Sequence, residues 1–472
     1  MRIRRLYTFF TVSALLAAAG LARAGCASGG ITFASQSDVD VANCTFVNGD
    51  VVISATAPGN ITFNDLKRIN GSLIVQGCGD ATCSRISGIS STNLTTINGR
   101  LQVSSVPSLK TITLPGLQRV DHDLLLQELP ELNWVNMTGL KRAGSLKLYS
   151  APKLITAQIG VKGASFDPNI GLKNITGNLT GSADAVVELR NVGLRDLDGI
   201  LDFWSARRLL IDSLPNLNVQ MIKFLNVDEM RVVGNDNLTL RFWESNLNEP
   251  NSPGPVINRL VVSNIRSLSP CLQPVVHEFL AFNNSAMEYL YFNFDQLNHI
   301  EIRNNPRLKK LVSWAPLNRF WRDIYIHDNP LLSLKRFPGP REPGDNVSET
   351  YCRDIAKLRR DQWAWFPNTF DNLVIAADID NSFFNETFTN LWLNTTSPSE
   401  TKPKVVDRFE VNSTNKTFDC SALDILRTQK GAFPGRYSCQ GQTLPAGIAV
   451  PSLEGSMRMA LGAAFMAAVL LY

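Results

Sequence analysis

The 472-residue sequence predicts a mainly β protein, a right-handed parallel β solenoid of about 22 residues per coil with disulfide-closed ends. Three observations carry that expectation. A short apolar-x-apolar segment recurs at near-constant spacing, a proline follows it at constant phase, and cysteines sit near both ends of a chain that carries an export signal.

Six segments align without gaps: Leu101–Leu109, Leu124–Leu132, Leu146–Leu154, Leu209–Leu217, Ile300–Leu308 and Ile324–Leu332. Each reads apolar-x-apolar, two mostly polar residues, an apolar residue or Asn, then Pro-x-Leu. Weaker copies begin at Leu73, Val187, Met230, Leu260 and Phe279. Such a period signals stacked supersecondary units. Apolar-x-apolar is the period-2 pattern of a short strand with one buried face. Proline has no N–H to give a ladder, so each strand ends before it, and the Leu beyond it can turn back inside. One coil cannot bury its own face; neighbours stacked at the inter-strand spacing close a continuous core. The stretch Asn248–Pro255 reads as a loop bulging from one coil.

The two ends place the chain in the secretory pathway. Residues 1–24 read as a signal peptide, with Arg2, Arg4 and Arg5, an apolar run from Leu6 to Leu21, and the small-x-small site Ala22-Arg23-Ala24. A second apolar run, Met459–Tyr472, is short for a membrane span. With small residues upstream it has the layout of a GPI attachment signal, with Gly447 as the expected attachment residue and Gly441 and Ser452 as rivals. The expected organisation is therefore signal 1–24, N-terminal cap 25–68, solenoid coils 69–385, C-terminal cap 386–440, spacer with attachment site 441–458 and a removed tail 459–472. The four arginines of the signal account for the whole formal charge of +4. A neutral mature chain has no global field for nucleic acid.

Fourteen Asn-x-Ser/Thr sites begin at Asn43, Asn60, Asn70, Asn93, Asn136, Asn174, Asn178, Asn237, Asn283, Asn346, Asn385, Asn394, Asn412 and Asn415. That density predicts N-glycosylation. The eight cysteines, Cys26, Cys44, Cys78, Cys83, Cys271, Cys352, Cys420 and Cys439, read as disulfides in an oxidising compartment. Eight cysteines allow 105 pairings. Closeness in sequence suggests Cys26–Cys44, Cys78–Cys83 and Cys420–Cys439, leaving Cys271 with Cys352.

The Asn-Pro-x-Leu copies at Ile300 and Ile324 resemble leucine-rich repeats and, more closely, receptor L domains. Together with Ser35–Ser54, Ile69–Gly77, Ile97–Leu109, Phe370–Asn385 and Phe418–Gly441, the sequence resembles the fungal GPI-anchored cell-wall organisation family, across nearly the whole mature chain. The resemblance implies a glycosylated protein on the outer face of the plasma membrane, with a non-catalytic role in wall organisation and integrity. Family members often carry a Ser/Thr-rich stalk before the anchor. Here only a few residues separate Cys439 from Gly447, which places the body close to the membrane.

Catalysis is not expected. The acidic pairs Asp196/Asp198 and Asp378/Asp380 stand beside Gly199 and Asn381, which is ordinary turn chemistry. His277-Glu278 lacks the second His of a zinc-protease motif, and no cofactor or metal signature appears. Binding is the alternative. Alternation turns Glu301, Arg303, Tyr325 and His327 outward as a possible ligand face, in a stretch where no sequon starts between Asn284 and Asp345. Trp314, Trp321, Trp363 and Trp365 lie nearby in sequence. The partners such a face would take are cell-wall glycans or wall and surface proteins, with the membrane reached through a lipid anchor.

Overall fold

The computed structural model describes Cys26 and residues 29–441, apart from 55, 78–84, 161–185, 198–199, 201–204, 223–225, 243–255, 270–274, 292–296, 313–321, 335–368, 386–391, 393–401 and 403. The signal, the spacer beyond residue 441 with Gly447, the tail, the Asn248–Pro255 loop and the four tryptophans Trp314, Trp321, Trp363 and Trp365 lie outside the described residues. So do Cys78, Cys83, Cys271, Cys352, Asp198, Asn174, Asn178, Asn346 and Asn394.

The dominant feature is a 20-stranded sheet in which every described pairing is parallel. Sixteen of its strands form successive rungs: β1 (Ile31–Phe33), β2 (Val51–Ile53), β3 (Leu73–Gln76), β4 (Leu101–Ser104), β5 (Arg119–Gln127), β6 (Arg142–Ala151), β7 (Val186–Val192), β8 (Ser205–Asp212), β9 (Asn226–Val233), β10 (Val256–Ser263), β11 (Val275–Phe282), β12 (His299–Arg303), β13 (Asp323–His327), β14 (Thr369–Ile379), β15 (Lys404–Ser413) and β16 (Arg436–Gly441). Each pairs with the next in sequence order, as a solenoid requires. The register puts the first residue of all eleven predicted segments in one column, from Leu73 through Leu101, Leu124, Leu146, Val187, Leu209, Met230, Leu260, Phe279 and Ile300 to Ile324. Leu373, Phe409 and Tyr437 continue it. The pairing also runs into both segments expected as caps, since β1 stacks on β2 and β15 on β16.

The column of first residues and the column two residues later point inward. Leu101, Val103, Leu124, Leu126, Leu146, Leu148, Leu209 and Ile211 are each 1% exposed or less. Burying one such side chain is worth about 1.5–3 kcal/mol, and only the next coil can cover it. The proline then acts as the second residue of a β-turn, where its fixed φ is favoured. In all six strong copies the N–H of the final Leu donates to the carbonyl of the residue before Pro, at 3.0–3.2 Å: Leu109 to Val106, Leu132 to Leu129, Leu154 to Ala151, Leu217 to Leu214, Leu308 to Asn305 and Leu332 to Asn329. That Leu is buried in every copy. Beyond the turn the chain adds a short strand to a second parallel surface, as in Ile86–Ser90, Thr111–Thr113, Trp134–Met137 and Thr156–Ile159.

Both ends are closed covalently, at Cys26–Cys44 and at Cys420–Cys439. The N-terminal bridge sits after helix α1 (Gln36–Ala42), which Ser35 caps and Asn43 stops in the left-handed region at φ 43°. Helix α2 (Asn381–Phe384) follows β14, and helix α3 (Ser421–Lys430) lies between β15 and β16. Leu423 and Leu426 of α3 are buried, and the Tyr437 ring stacks on Phe409 at 5.3 Å with the Arg427 guanidinium 4.7 Å from its centroid. The last coil thus ends in an aromatic plug rather than an open core.

Candidate functional site on the outer sheet face

Because the inward residues alternate with outward ones, three columns of side chains decorate the outside of the long sheet. One precedes the first inward residue; the other two follow each inward residue. Glu301 sits beside Tyr325 and Arg303 beside His327, in adjacent positions of β12 and β13. Their partners are largely within the chain. The Arg303 guanidinium contacts Glu301 at 2.5 Å and lies 5.2 Å from the centre of the Phe282 ring. His327 Nδ1 is 2.7 Å from Asp328 Oδ2. The Tyr325 ring lies 5.5 Å from the His299 ring.

His299 belongs to the leading column, in which Arg208, Glu229, Arg259 and Glu278 alternate in sign along the stack before His299 and Asp323. Arg208 meets Glu229 at 3.4 Å, Arg259 meets Glu278 at 3.5 Å and His299 meets Asp323 at 3.8 Å. Asn372 donates to the same Asp323 at 2.7 Å. Burial works to raise the Asp323 pKa, but the bonds from His299 and Asn372 and nearby positive charge outweigh it, so the carboxyl is held below its ordinary value. Nearer the N-terminus, Lys147 meets Asp123 at 3.1 Å. The Tyr149 hydroxyl donates to Glu188, and burial together with that bond pushes the phenol pKa up. Glu410 receives Arg408 at 2.5 Å and Arg436 at 2.9 Å near the C-terminal end.

The other sequence candidates resolve into structural roles. Asp378 accepts from Ser333 Oγ at 3.0 Å, and Asp380 caps α2 by accepting from Ser382 N at 2.8 Å. Asp196 is half-buried, away from this face's outward columns. Among the described residues no group of three or more His, Cys, Asp or Glu side chains is placed to hold a metal ion. Of the sequons within the described residues, Asn43, Asn60, Asn93, Asn237, Asn283 and Asn385 are exposed, and Asn70, Asn136, Asn412 and Asn415 are half-buried.

No family model and no solved structure matches the chain. Protein ecm33 of Aspergillus fumigatus is 28% identical over 249 residues, covering 50% of this chain and 56% of that protein. A cell surface GPI-anchored protein of Arthroderma benhamiae is 36% identical over 106 residues, 22% of this chain and 26% of that protein. The chain is a distant homologue of both. It spans about half the length of the Ecm33 relative and about a quarter of the other.

Two further columns of this Ecm33 homologue escape a reading by strand pattern. The residue four places after the first inward one adopts the left-handed region in nine coils: Ser105, Glu128, Ser150, Asn191, Ser213, Asn264, Asn283, Asn304 and Asp328, with φ between 51° and 56°. All but Glu128 are Ser, Asn or Asp, and Asn and Asp tolerate that conformation best. That bias was the available signal. The next residue is apolar in the early coils but Asn284, Asn305 and Asn329 in the later ones, all buried. There the amides bond from coil to coil: Asn284 Nδ2 donates to Asn305 Oδ1 at 2.8 Å, and Asn305 Nδ2 to Asn329 Oδ1 at 2.9 Å.

Proposed function

We propose that this chain is a GPI-anchored, N-glycosylated cell-surface protein needed for fungal cell-wall organisation and integrity, acting without catalysis as a glycan-clad spacer. The single observation that carries the reading is the homology to Ecm33 over half of the chain. The second relative's description as a GPI-anchored cell-surface protein supports the anchor, as do the C-terminal apolar run and the small residues around Gly447. A solenoid with both ends closed suits the role physically. Each coil braces its neighbours, so the elongated body resists bending without any partner. Among the described carboxylates, Asp378 accepts from Ser333, Asp380 caps a helix, and Glu229 and Glu278 stand in ion pairs.

Treating intact cells with phosphatidylinositol-specific phospholipase C tests the anchor. Release of the protein, with a C-terminal peptide ending at Gly447, Gly441 or Ser452, is the expected result. A protein that stays on the cells and still carries Met459–Tyr472 overturns it. Deletion is expected to give broad wall-stress sensitivity rather than loss of one wall product. A receptor-like role is the second reading, favoured by the adjacent Glu301, Arg303, Tyr325 and His327 on the outer face. Tyr325→Ala with His327→Ala would then fold normally but weaken capture of a wall glycan or protein partner.

A further inference from the structure

None of the fourteen sequons falls within the strands β3 to β14 of the long sheet. One of them, Asn237, stands at the edge of a cavity where the chain leaves that sheet. Ser267, Ala286 and Arg307 follow the first inward residues of β10, β11 and β12 by seven places. In other coils that place holds side chains as long as Glu131, Lys153 and Leu331. Ser267 and Ala286 are both small and fall in adjacent coils, so the row is cut down between Arg307 and the turn after β9. The result is a notch of about 470 Å³, lined also by Asp236, Asn237, Arg266, Glu288 and Tyr289.

Asn237 is presented on a fixed backbone. Its N–H donates to Asn235 Oδ1 at 3.1 Å, and Asn235 Nδ2 donates to the carbonyls of Leu214, Pro215 and Leu217 at 3.0, 2.9 and 3.1 Å. One amide thus ties the sequon to the preceding coil, while Asn237 itself is exposed. The lining carries donors in Arg266, Arg307 and Ser267, and acceptors in Asp236 and Glu288, the latter held by Lys309 at 2.9 Å. Tyr289 adds a ring with apolar faces and a polar tip. Such a mixed set would hold many polar ligands loosely, and the tether selects among them. A sugar attached to Asn237 meets the notch at an effective concentration on the order of millimolar, so contacts too weak to capture a free sugar suffice.

We infer that the notch seats the protein's own glycan: the first sugars of an N-linked chain on Asn237 lie over Ser267 and Ala286 toward Arg307. There they fill the gap in the row and brace the coils of β9 to β12. The inference rests on the reading of the chain as an N-glycosylated protein and adds to it a bound position for one glycan.

The test is peptide-N-glycosidase digestion of the full secreted protein, native and denatured, with release followed site by site by mass spectrometry. The enzyme acts on a glycan that has left the notch, so its rate reads the docked fraction. Asn60, exposed in a strand of the second surface, is the reference. Native release at Asn237 is expected to be slower than at Asn60 by about tenfold or more, the effect of one or two hydrogen bonds to charged groups. After denaturation the two rates should be equal. Arg266→Ala with Arg307→Ala, both at exposed positions, should remove most of the native difference. If that variant is not secreted, Arg307→Ala alone takes its place, with part of the difference lost. Equal native rates in the wild type, or slow release that the arginine variants leave unchanged, would overturn the inference and leave the glycoprotein reading intact. So would an Asn237 found bare while other sequons carry sugar. Bare sequons throughout would overturn the reading beneath it.

Discussion

Asn305 shows how much one side chain can hold in this stack. It is fully buried, and its Oδ1 accepts from both Asn284 N at 3.1 Å and Asn284 Nδ2 at 2.8 Å. Its own Nδ2 donates to Asn329 Oδ1 at 2.9 Å and Ala281 O at 3.2 Å. A buried polar group left without a partner costs about 1–3 kcal/mol. Asn305→Ala strands two donors of Asn284 and removes one of the two hydrogen bonds that Asn329 Oδ1 accepts, the other coming from Asn305 N, and is expected to cost about 2 kcal/mol or more in urea unfolding. Asn305→Leu restores volume but not the bonds, so it should be no better than half rescued. A loss below about 0.5 kcal/mol would mean that the amide column is not cooperative. The equivalent residue in an early coil, Val106 or Leu129, is apolar, and there Ala should cost the ordinary large-to-small penalty of about 1–4 kcal/mol without a polar component.

The strand-plus-turn unit is the element that the sequence spells out. Its proline was readable as a strand end because Pro lacks a donor. The left-handed residue just before the turn was signalled only by its bias to Asn, Asp and Ser, and in the coils that carry Ser or Glu there the residue type gives no distinctive sign of positive φ. The terminal elements depend on covalent closure. In a stack whose coils touch only their neighbours, the end coils lack one neighbour and open first. Replacing Cys420 and Cys439 together with Ser removes a link worth about 2–4 kcal/mol. The expected result is limited proteolysis that begins between α3 and β16 and leaves the central coils protected. Cleavage starting in the centre, at β8 or β9, would contradict this account of the cap.

Across the whole molecule the outward charges act together, and their signature is a response to acid. Asp123 and Asp323 both feel burial that raises their pKa, outweighed by hydrogen bonds and positive neighbours that lower it. A carboxyl whose folded-state pKa lies below its unfolded value adds stability above the ordinary carboxylate range. That contribution is lost as pH falls through the range toward the folded-state value. The melting temperature should therefore drop on the acid side of the carboxylate range, and Asp323→Asn should flatten the drop. An acid limb identical in the variant and the wild type would remove Asp323 from the explanation. High salt should lower stability only slightly, since the ion pairs are partly exposed and such pairs contribute little individually.

The sequence by itself determined the coil: its period, its inward residues, the turn after each strand and the closeness of the bridged cysteines at the two ends. Each follows from local chemistry, because burial alternates with period two and proline ends a ladder wherever it occurs. Only the tertiary structure decided which side chains meet across coils. Arg208 and Glu229, Asn284 and Asn305, and His299 and Tyr325 lie some twenty residues apart in the chain. Whether they touch depends on register, and a shift of one residue between coils would turn the outer face inward. The sequon-free run of strands emerges in the same way, since it is a property of stacked strands and of no single coil.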